Sequence, residues 1–198
     1  MPLFCYRRPL ERRIMEQKIL TPEEIGLVYQ NHMIRDFPPE ERKPLQSIQA
    51  LVRRGIYTGI GWFDGGKLKG YAFLADIHGP AVLLDYFAVC PDGRGQGAGS
   101  RLLAEMAQGY APRGILIEAE DPDSAPDKEL AQKRLRFYDR CGARDSGWKG
   151  LIFDVWYRLF CLGGNLSGEE TREASLQIYQ AMLPPEFFPQ KVAYFPVK

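Results

Sequence analysis

The stretch from Val82 to Met106 constrains this chain more than any other. Val82 to Val89 is apolar and β-prone around a single charge, Asp85, the pattern of a strand buried on at least part of both faces. Pro91 ends it, because proline cannot donate to a ladder, and Asp92-Gly93 supplies turn chemistry. Arg94-Gly95-Gln96-Gly97-Ala98-Gly99 follows, and then Leu102, Leu103 and Met106 recur at helical spacing. A strand therefore runs into a glycine-rich loop that opens a helix. Glycines let backbone approach a ligand, successive N–H groups point inward, and the helix N-terminus adds a partial positive charge. The order of these pieces predicts a phosphate-binding loop.

The spacing separates the kinds of phosphate site. Glycines at 93, 95, 97 and 99 do not give the G-x-G-x-x-G of a dinucleotide fold, and no Lys-Ser or Lys-Thr follows as a P-loop requires. What is present is R-x-x-G-x-G over Arg94 to Gly99, with Phe87-Ala88-Val89-Cys90-Pro91 in front and Leu102-Leu103 behind. On these residues the chain resembles the GCN5-related N-acetyltransferase (GNAT) superfamily, over about residues 13 to 160 and most specifically between 82 and 142. The resemblance implies that the segment is the fourth strand, the pyrophosphate loop for acetyl-coenzyme A, and the helix after it.

Punctuation along the chain predicts the remaining elements. Ile14 to Leu20 alternates loosely as a first strand, and Thr21-Pro22-Glu23-Glu24 reads as a capping box opening a helix to about Ile34. After Pro38-Pro39 and Pro44, Leu45 to Arg53 reads as a second helix stopped by Gly55. Ile56 to Phe63 and Leu68 to Ile77 flank Asp64-Gly65-Gly66-Lys67, a hairpin signal, and a turn at His78-Gly79-Pro80 completes a three-strand meander. Gly114 to Glu120 is a buried strand whose helical crossover makes it parallel to 82–89. Leu130 to Cys141 reads as an amphipathic helix, Leu151 to Phe160 as a final long strand, and Ser167 to about Leu183 as a capped helix. The expected fold is α/β, a GNAT-like mixed sheet of six or seven twisted strands flanked by helices, with parallel strands four and five splaying apart. Residues 1–165 would form the catalytic domain. Residues 166–198 would add a helix and an aromatic, proline-rich tail packed on the core or on a partner subunit, since disordered segments are poor in aromatics.

The resemblance also implies the chemistry. Backbone of Phe87, Ala88 and Val89 would pair with the pantetheine arm, and Arg94, Gly95, Gln96, Gly97, Ala98, Gly99 and Ser100 would hold the pyrophosphate. Arg101 either adds charge there or sits on a solvated helix face. Acetylating an amine requires removal of a proton from an ammonium and reprotonation of a thiolate, work for a carboxylate and a weak acid. Glu118, near the end of the fifth strand, matches the position of a base proposed in protein N-terminal acetyltransferases of the superfamily. Glu120 faces the same side, and Asp85 is an alternative base or an amine-binding group unless it is paired with an arginine. Tyr138, in Phe137-Tyr138-Asp139-Arg140-Cys141-Gly142, matches the tyrosine proposed as general acid. Two positions depart from the family pattern: Ala131 stands where Asn is frequent, and Ala143 where an aromatic often follows the glycine. Asp121-Pro122-Asp123 would either attract a cationic acceptor or cap a turn. Cys90 as a nucleophile would imply a ping-pong route, whereas the family transfers directly, and His32 and His78 read as structural or solvated.

Composition excludes more than it selects. Hydrophobic residues make up 45% and charged residues 26% of the 198, ordinary values for a well-cored domain. A net charge of +1 without a basic block does not imply a nucleic-acid partner, and none is expected. Four scattered cysteines and two histidines suggest neither zinc site nor disulfide framework, so no metal is expected. No run approaches the ~18 apolar residues of a membrane span, and the expected location is cytoplasmic. The reading is an acetyl-CoA-dependent N-acetyltransferase acting on a small-molecule or protein amine, with a homodimer compatible with the tail. Two alternatives stay open: a catalytically silent acyl-CoA-binding sensor or interaction module, and a nucleotide-binding protein using the same loop.

Overall fold

A computed structural model describes residues 15–94 and 97–197. The readings made above of residues 1–14, Gly95 and Gln96 lie outside them. The described residues open with β1 (Glu16–Ile19) and α1 (Pro22–Val28), continue through a π-helical turn (Tyr29–Met33) and α2 (Ile34–Asp36), and reach α3 (Leu45–Arg53) after a 3-10 turn (Pro39–Glu41). The capping box is formed at the start of α1: Thr21 Oγ1 accepts the Glu24 amide while Glu24 Oε2 accepts the Thr21 amide. Next come β2 (Tyr57–Asp64), β3 (Lys67–Ala75), β4 (Ala81–Val89), α4 (Ala98–Tyr110), β5 (Gly114–Glu120) and α5 (Lys128–Arg140). The remainder is β6 (Arg144–Ile152), β7 (Val155–Gly163), α6 (Gly168–Met182), α7 (Phe188–Lys191) and β8 (Val192–Pro196).

These strands form one mixed sheet ordered β1-β2-β3-β4-β5-β7-β6-β8, in which β4 and β5 are parallel and every other neighbouring pair is antiparallel. Among the described residues the sheet carries eight strands rather than six or seven, for two reasons. Leu151 to Phe160 is not one strand but the end of β6 and most of β7, joined by a two-residue turn at Phe153 and Asp154, both at positive φ (47° and 69°). Neither residue is the glycine or asparagine that usually marks such a turn, so the hairpin is hidden in the sequence. The tail then supplies β8, which pairs with β6 from Trp148↔Pro196 to Ile152↔Val192.

Each face of the sheet is covered by helices. One face packs Ile25, Met33, Ile48 and Leu51 of α1, the π-helical turn and α3, with Ala174, Ile178 and Met182 of α6, against Tyr71, Phe73, Leu83 and Leu116. The other packs Leu102, Leu103 and Met106 of α4 against Trp62, Leu74, Val82, Leu84, Ile115 and Ile117. Alternation along β4 thus feeds both layers, which is why it reads as one apolar run, and each such side chain contributes about 1.5–3 kcal/mol on burial. Between these layers the sheet parts where β4 and β5 diverge.

Candidate active site

Parallel pairing of β4 with β5 covers only Ala81–Leu84 against Gly114–Ile117. Beyond it, Tyr86 to Val89 pair with β3 alone, and Glu118 to Glu120 with β7 alone. The ladder of β4 with β3 shifts register at this point: Leu84 faces Leu74 and Tyr86 faces Phe73, leaving Asp85 as the extra residue of a β-bulge. A bulge raises local twist and re-aims a side chain, and here it turns β4 away from β5. The resulting cleft has a volume of about 1260 Å³ and passes between the two strands. Its β4 wall is an open edge. The Cys90 amide donates to the Lys69 carbonyl of β3 at 2.8 Å, so alternation directs the backbone of Ala88 toward β3 and that of Phe87 and Val89 toward the gap. The Val89 carbonyl already accepts Arg94 Nε at 2.9 Å.

At one end the cleft meets the start of α4. Gly93, Arg94, Gly97, Ala98, Gly99 and Ser100 line it. Gly97 is the N-cap in the left-handed conformation (φ 71°), which glycine adopts without strain, and no side chain among the described residues caps the helix. The first-turn amides lack an intrahelical partner and carry the positive end of the helix dipole. Gly99 serves a different end: a Cβ there would stand 3.1 Å from Phe137 Cζ, so its absence lets α4 approach α5. Arg94 is held by Asp36 at 3.2 Å as well as by Val89, and Arg101 pairs with Glu105 of its own helix at 3.7 Å. Lys133, Arg134 and Arg140 of α5 bring cations to this cleft. Sequence reasoning missed them, although Leu130, Lys133, Arg134, Phe137 and Tyr138 follow the i, i+3, i+4, i+7, i+8 stripe that puts Lys133 and Arg134 on the face of Tyr138.

The carboxylates gather where the strands part. Glu118 lines the cleft and accepts hydrogen bonds from Tyr179 (2.7 Å to Oε2) and Tyr194 (3.1 Å to Oε1), with Ser175 Oγ 3.3 Å from Oε1. Burial pushes its pKa up to about 7, Asp85 adds to the rise, and the tyrosine hydroxyls and Lys43 oppose it. Asp85 is paired, though not with an arginine: Lys43 Nζ lies 2.8 Å from both of its oxygens and Tyr57 donates to Oδ2. Glu120 is 3.5 Å from Arg134. Glu41, which sequence reasoning passed over, lines the same space, and burial followed by the charge of Glu120 raises its pKa. Tyr138 also lines the cleft, and burial pushes its hydroxyl up to about 12.

The other candidates fall outside this constellation. Cys90 is 3% exposed, is not part of the cleft wall, and has its thiol pKa pushed up by burial, the reverse of an activated nucleophile. His32 lies 3.7 Å from it through Nδ1. His78 occupies the turn before β4 at positive φ, its amide donating to Asp76. Asp121 accepts the amides of Ser124 and Ala125 through its carbonyl, so that loop folds on itself. Among the described residues no group of three or more His, Cys, Asp or Glu could hold a metal ion, and no helix is long and apolar enough to cross a membrane.

Comparison with known proteins agrees with this geometry. The sequence profile of the Acetyltransferase (GNAT) family matches residues 27–143, which takes in the glycine loop, Glu118 and Tyr138. The chain is 38% identical over 106 residues to YjbC of Bacillus subtilis (strain 168), whose name places it provisionally among acetyltransferases. The match covers 52% of this chain and 50% of YjbC, so it spans about half the length of that relative. Among solved structures, a GNAT-family protein from Bacteroides thetaiotaomicron aligns with a TM-score of 0.63 at 22% identity, covering 81% of this chain and 93% of that one. Arabidopsis thaliana NAA60, solved in complex with acetyl-CoA, aligns with a TM-score of 0.56 at 16% identity over 75% of this chain and 97% of its own. YncA from Salmonella typhimurium, solved with its cofactor acetyl-CoA, gives 0.54 at 14% identity over 77% and 95%. At these identities the structural likeness is one of fold.

Proposed function

The chain belongs to the GNAT acetyltransferase family, and from that membership we propose that it is an acetyl-CoA-dependent N-acetyltransferase acting on a primary amine by direct attack in a ternary complex. The observation that carries this reading is the cleft between β4 and β5, with an open strand edge leading to a helix N-terminus that no side chain among the described residues caps. The fit is physical: the first-turn amides of α4, from Ala98 to Ser100, offer donors and a positive dipole end to a pyrophosphate. Arg94, Gly95, Gln96 and Gly97 complete that loop in this assignment. Phe87 and Val89 offer backbone groups to an amide-bearing arm, and Ala88 lines the space between them.

Acetyl-CoA supplies an acetyl group activated as a thioester. We assign the proton handling to two residues. Glu118 takes a proton from the acceptor ammonium, for which a carboxyl near pH 7 is suited, because it is largely ionised at pH 8 and still basic enough to accept. The amine nitrogen, still carrying two protons, bonds the acetyl carbon as the carbon–sulfur bond breaks; one of these protons replaces the one that Tyr138 gives up, and the proton on Glu118 leaves to solvent. Tyr138 delivers its hydroxyl proton to the departing sulfur; burial keeps that phenol protonated at neutral pH. Asp85, neutralised by Lys43 and Tyr57, is assigned to fixing the wall opposite Glu118 rather than to accepting the proton.

A thermal-shift series with acetyl-CoA, coenzyme A, ATP and NAD at equal concentrations tests the donor assignment. A ligand at about 100 times its Kd adds about 2.7 kcal/mol to native-state stability. Selective stabilisation by acetyl-CoA and coenzyme A is expected, and a shift with ATP or NAD alone would reject the donor site. An amine panel with acetyl-CoA then separates an enzyme from a silent acyl-CoA-binding module, which would bind the donor and acetylate nothing.

A further inference from the structure

Among the described residues, the hydroxyls that hydrogen-bond the Glu118 carboxylate all come from the chain after residue 167. Ser175 and Tyr179 stand four residues apart on the buried stripe of α6 that also carries Thr171, Ala174, Ile178 and Met182, and they are 0% and 2% exposed. Tyr194 comes from β8, the last strand of the sheet. Its ring lies along Gly150 of β6, its register partner, where a Cβ would stand 3.0 Å from Tyr194 Cε1. A side chain at 150 would crowd the path by which Tyr194 reaches β5. The profile match ends at residue 143 and so contains Glu118 but none of these three partners.

Proton counting sharpens the arrangement. Ser175 Oγ and Tyr194 Oη are 2.6 Å apart, a contact that consumes one of their two protons and leaves one for Glu118 Oε1. Tyr179 alone donates to Oε2. Glu118 thus receives two donated protons, one on each oxygen. From the remaining directions it is faced by Asp85 of β4, by Lys43 from the segment before α3, and by Tyr157 of β7.

We propose that the C-terminal segment is a working part of the active site, in which Tyr179 and the Tyr194–Ser175 pair act as positioning residues that hold the Glu118 carboxylate in the cleft and set the pH at which it binds a proton. The proposal rests on the reading of Glu118 as the base. Donors to a carboxylate stabilise its ionised form, so removing one makes the group protonate at higher pH.

The test needs no acceptor. The full chain is labelled with glutamate carrying 13C at the carboxyl, and the Glu118 resonance is identified by its absence from Glu118→Gln. Its titration midpoint in Tyr179→Phe is expected about one pH unit above that of the parent. Tyr194→Phe should move it less, since Ser175 then donates to Oε1, while the Ser175→Ala/Tyr194→Phe double variant should again move it by about one unit. An unchanged midpoint in folded Tyr179→Phe overturns the proposal. Should that variant not fold, an unchanged midpoint in the double variant does so instead. Once an active amine is in hand, the low-pH limb of kcat/KM should follow the midpoint in each variant. A midpoint that moves while the limb stays would reject Glu118 as base and leave its grip by the hydroxyls supported.

Discussion

Glu118 and Tyr138 occupy one cleft and are pushed in the same direction by burial, yet with opposite consequences. Burial disfavours charge, so it makes the carboxyl basic enough to accept a proton near neutrality and makes the phenol hold its own. Activity that needs ionised Glu118 should therefore be low below about pH 7, rise through that value and level off above it. Glu118→Gln should lower kcat by about 10²-fold or more and remove that limb, as a pH–rate profile would show. Tyr138→Phe should lower kcat by a similar ~10²-fold factor while calorimetry finds acetyl-CoA binding unchanged. A loss of binding instead would mark Tyr138 as a packing residue. Both positions are legible from sequence alone through the motifs around them. The partners of Glu118 are not, because Ser175, Tyr179 and Tyr194 are ordinary residues in ordinary elements until the chain folds back over β5.

At the level of elements, the site depends on where backbones come close. Gly99→Ala would set a methyl 3.1 Å from Phe137 Cζ and force α4 away from α5, so coenzyme A should bind more weakly at a nearly unchanged melting temperature. Gly164→Ala should do the opposite. That residue sits at φ 58°, and a Cβ there would lie 2.7 Å from the Gly114 amide nitrogen at the start of β5. A loss of about 1–3 kcal/mol in denaturant titration is expected, with donor binding retained in the folded fraction. The glycine-marked turn at Gly65-Gly66 and the two capping boxes are readable because their residue types dictate the conformation. The β6–β7 hairpin is not, because Phe153 and Asp154 carry no turn signature and owe their positive φ to strand pairing on both sides.

For the whole molecule, the sheet parts between β4 and β5, so a ligand in the cleft would bridge two halves whose strands share four parallel register pairs. Amide exchange should be slowest in the central strands β3, β4 and β5 and fastest at the edges β1 and β8. Adding acetyl-CoA should slow exchange at Phe87, Val89 and the first turn of α4 while leaving β1 unaffected. Uniform slowing across the sheet would instead indicate general tightening rather than an occupied gap.

The sequence by itself determined the family, the order of most elements, the position of the glycine-rich loop proposed to hold the pyrophosphate and the two residues proposed for proton transfer. These depend on local chemistry: glycine at positive φ, an apolar run, a cap, a motif of fixed spacing. Tertiary structure alone decided that a bulge at Asp85 opens the cleft, that Lys43 rather than an arginine neutralises Asp85, and that the last thirty or so residues close over Glu118. The contacts of Lys43 with Asp85 and of the tail with Glu118 join residues some forty or more positions apart, and the affinity of a hydroxyl for a buried carboxylate leaves no periodic trace along the chain.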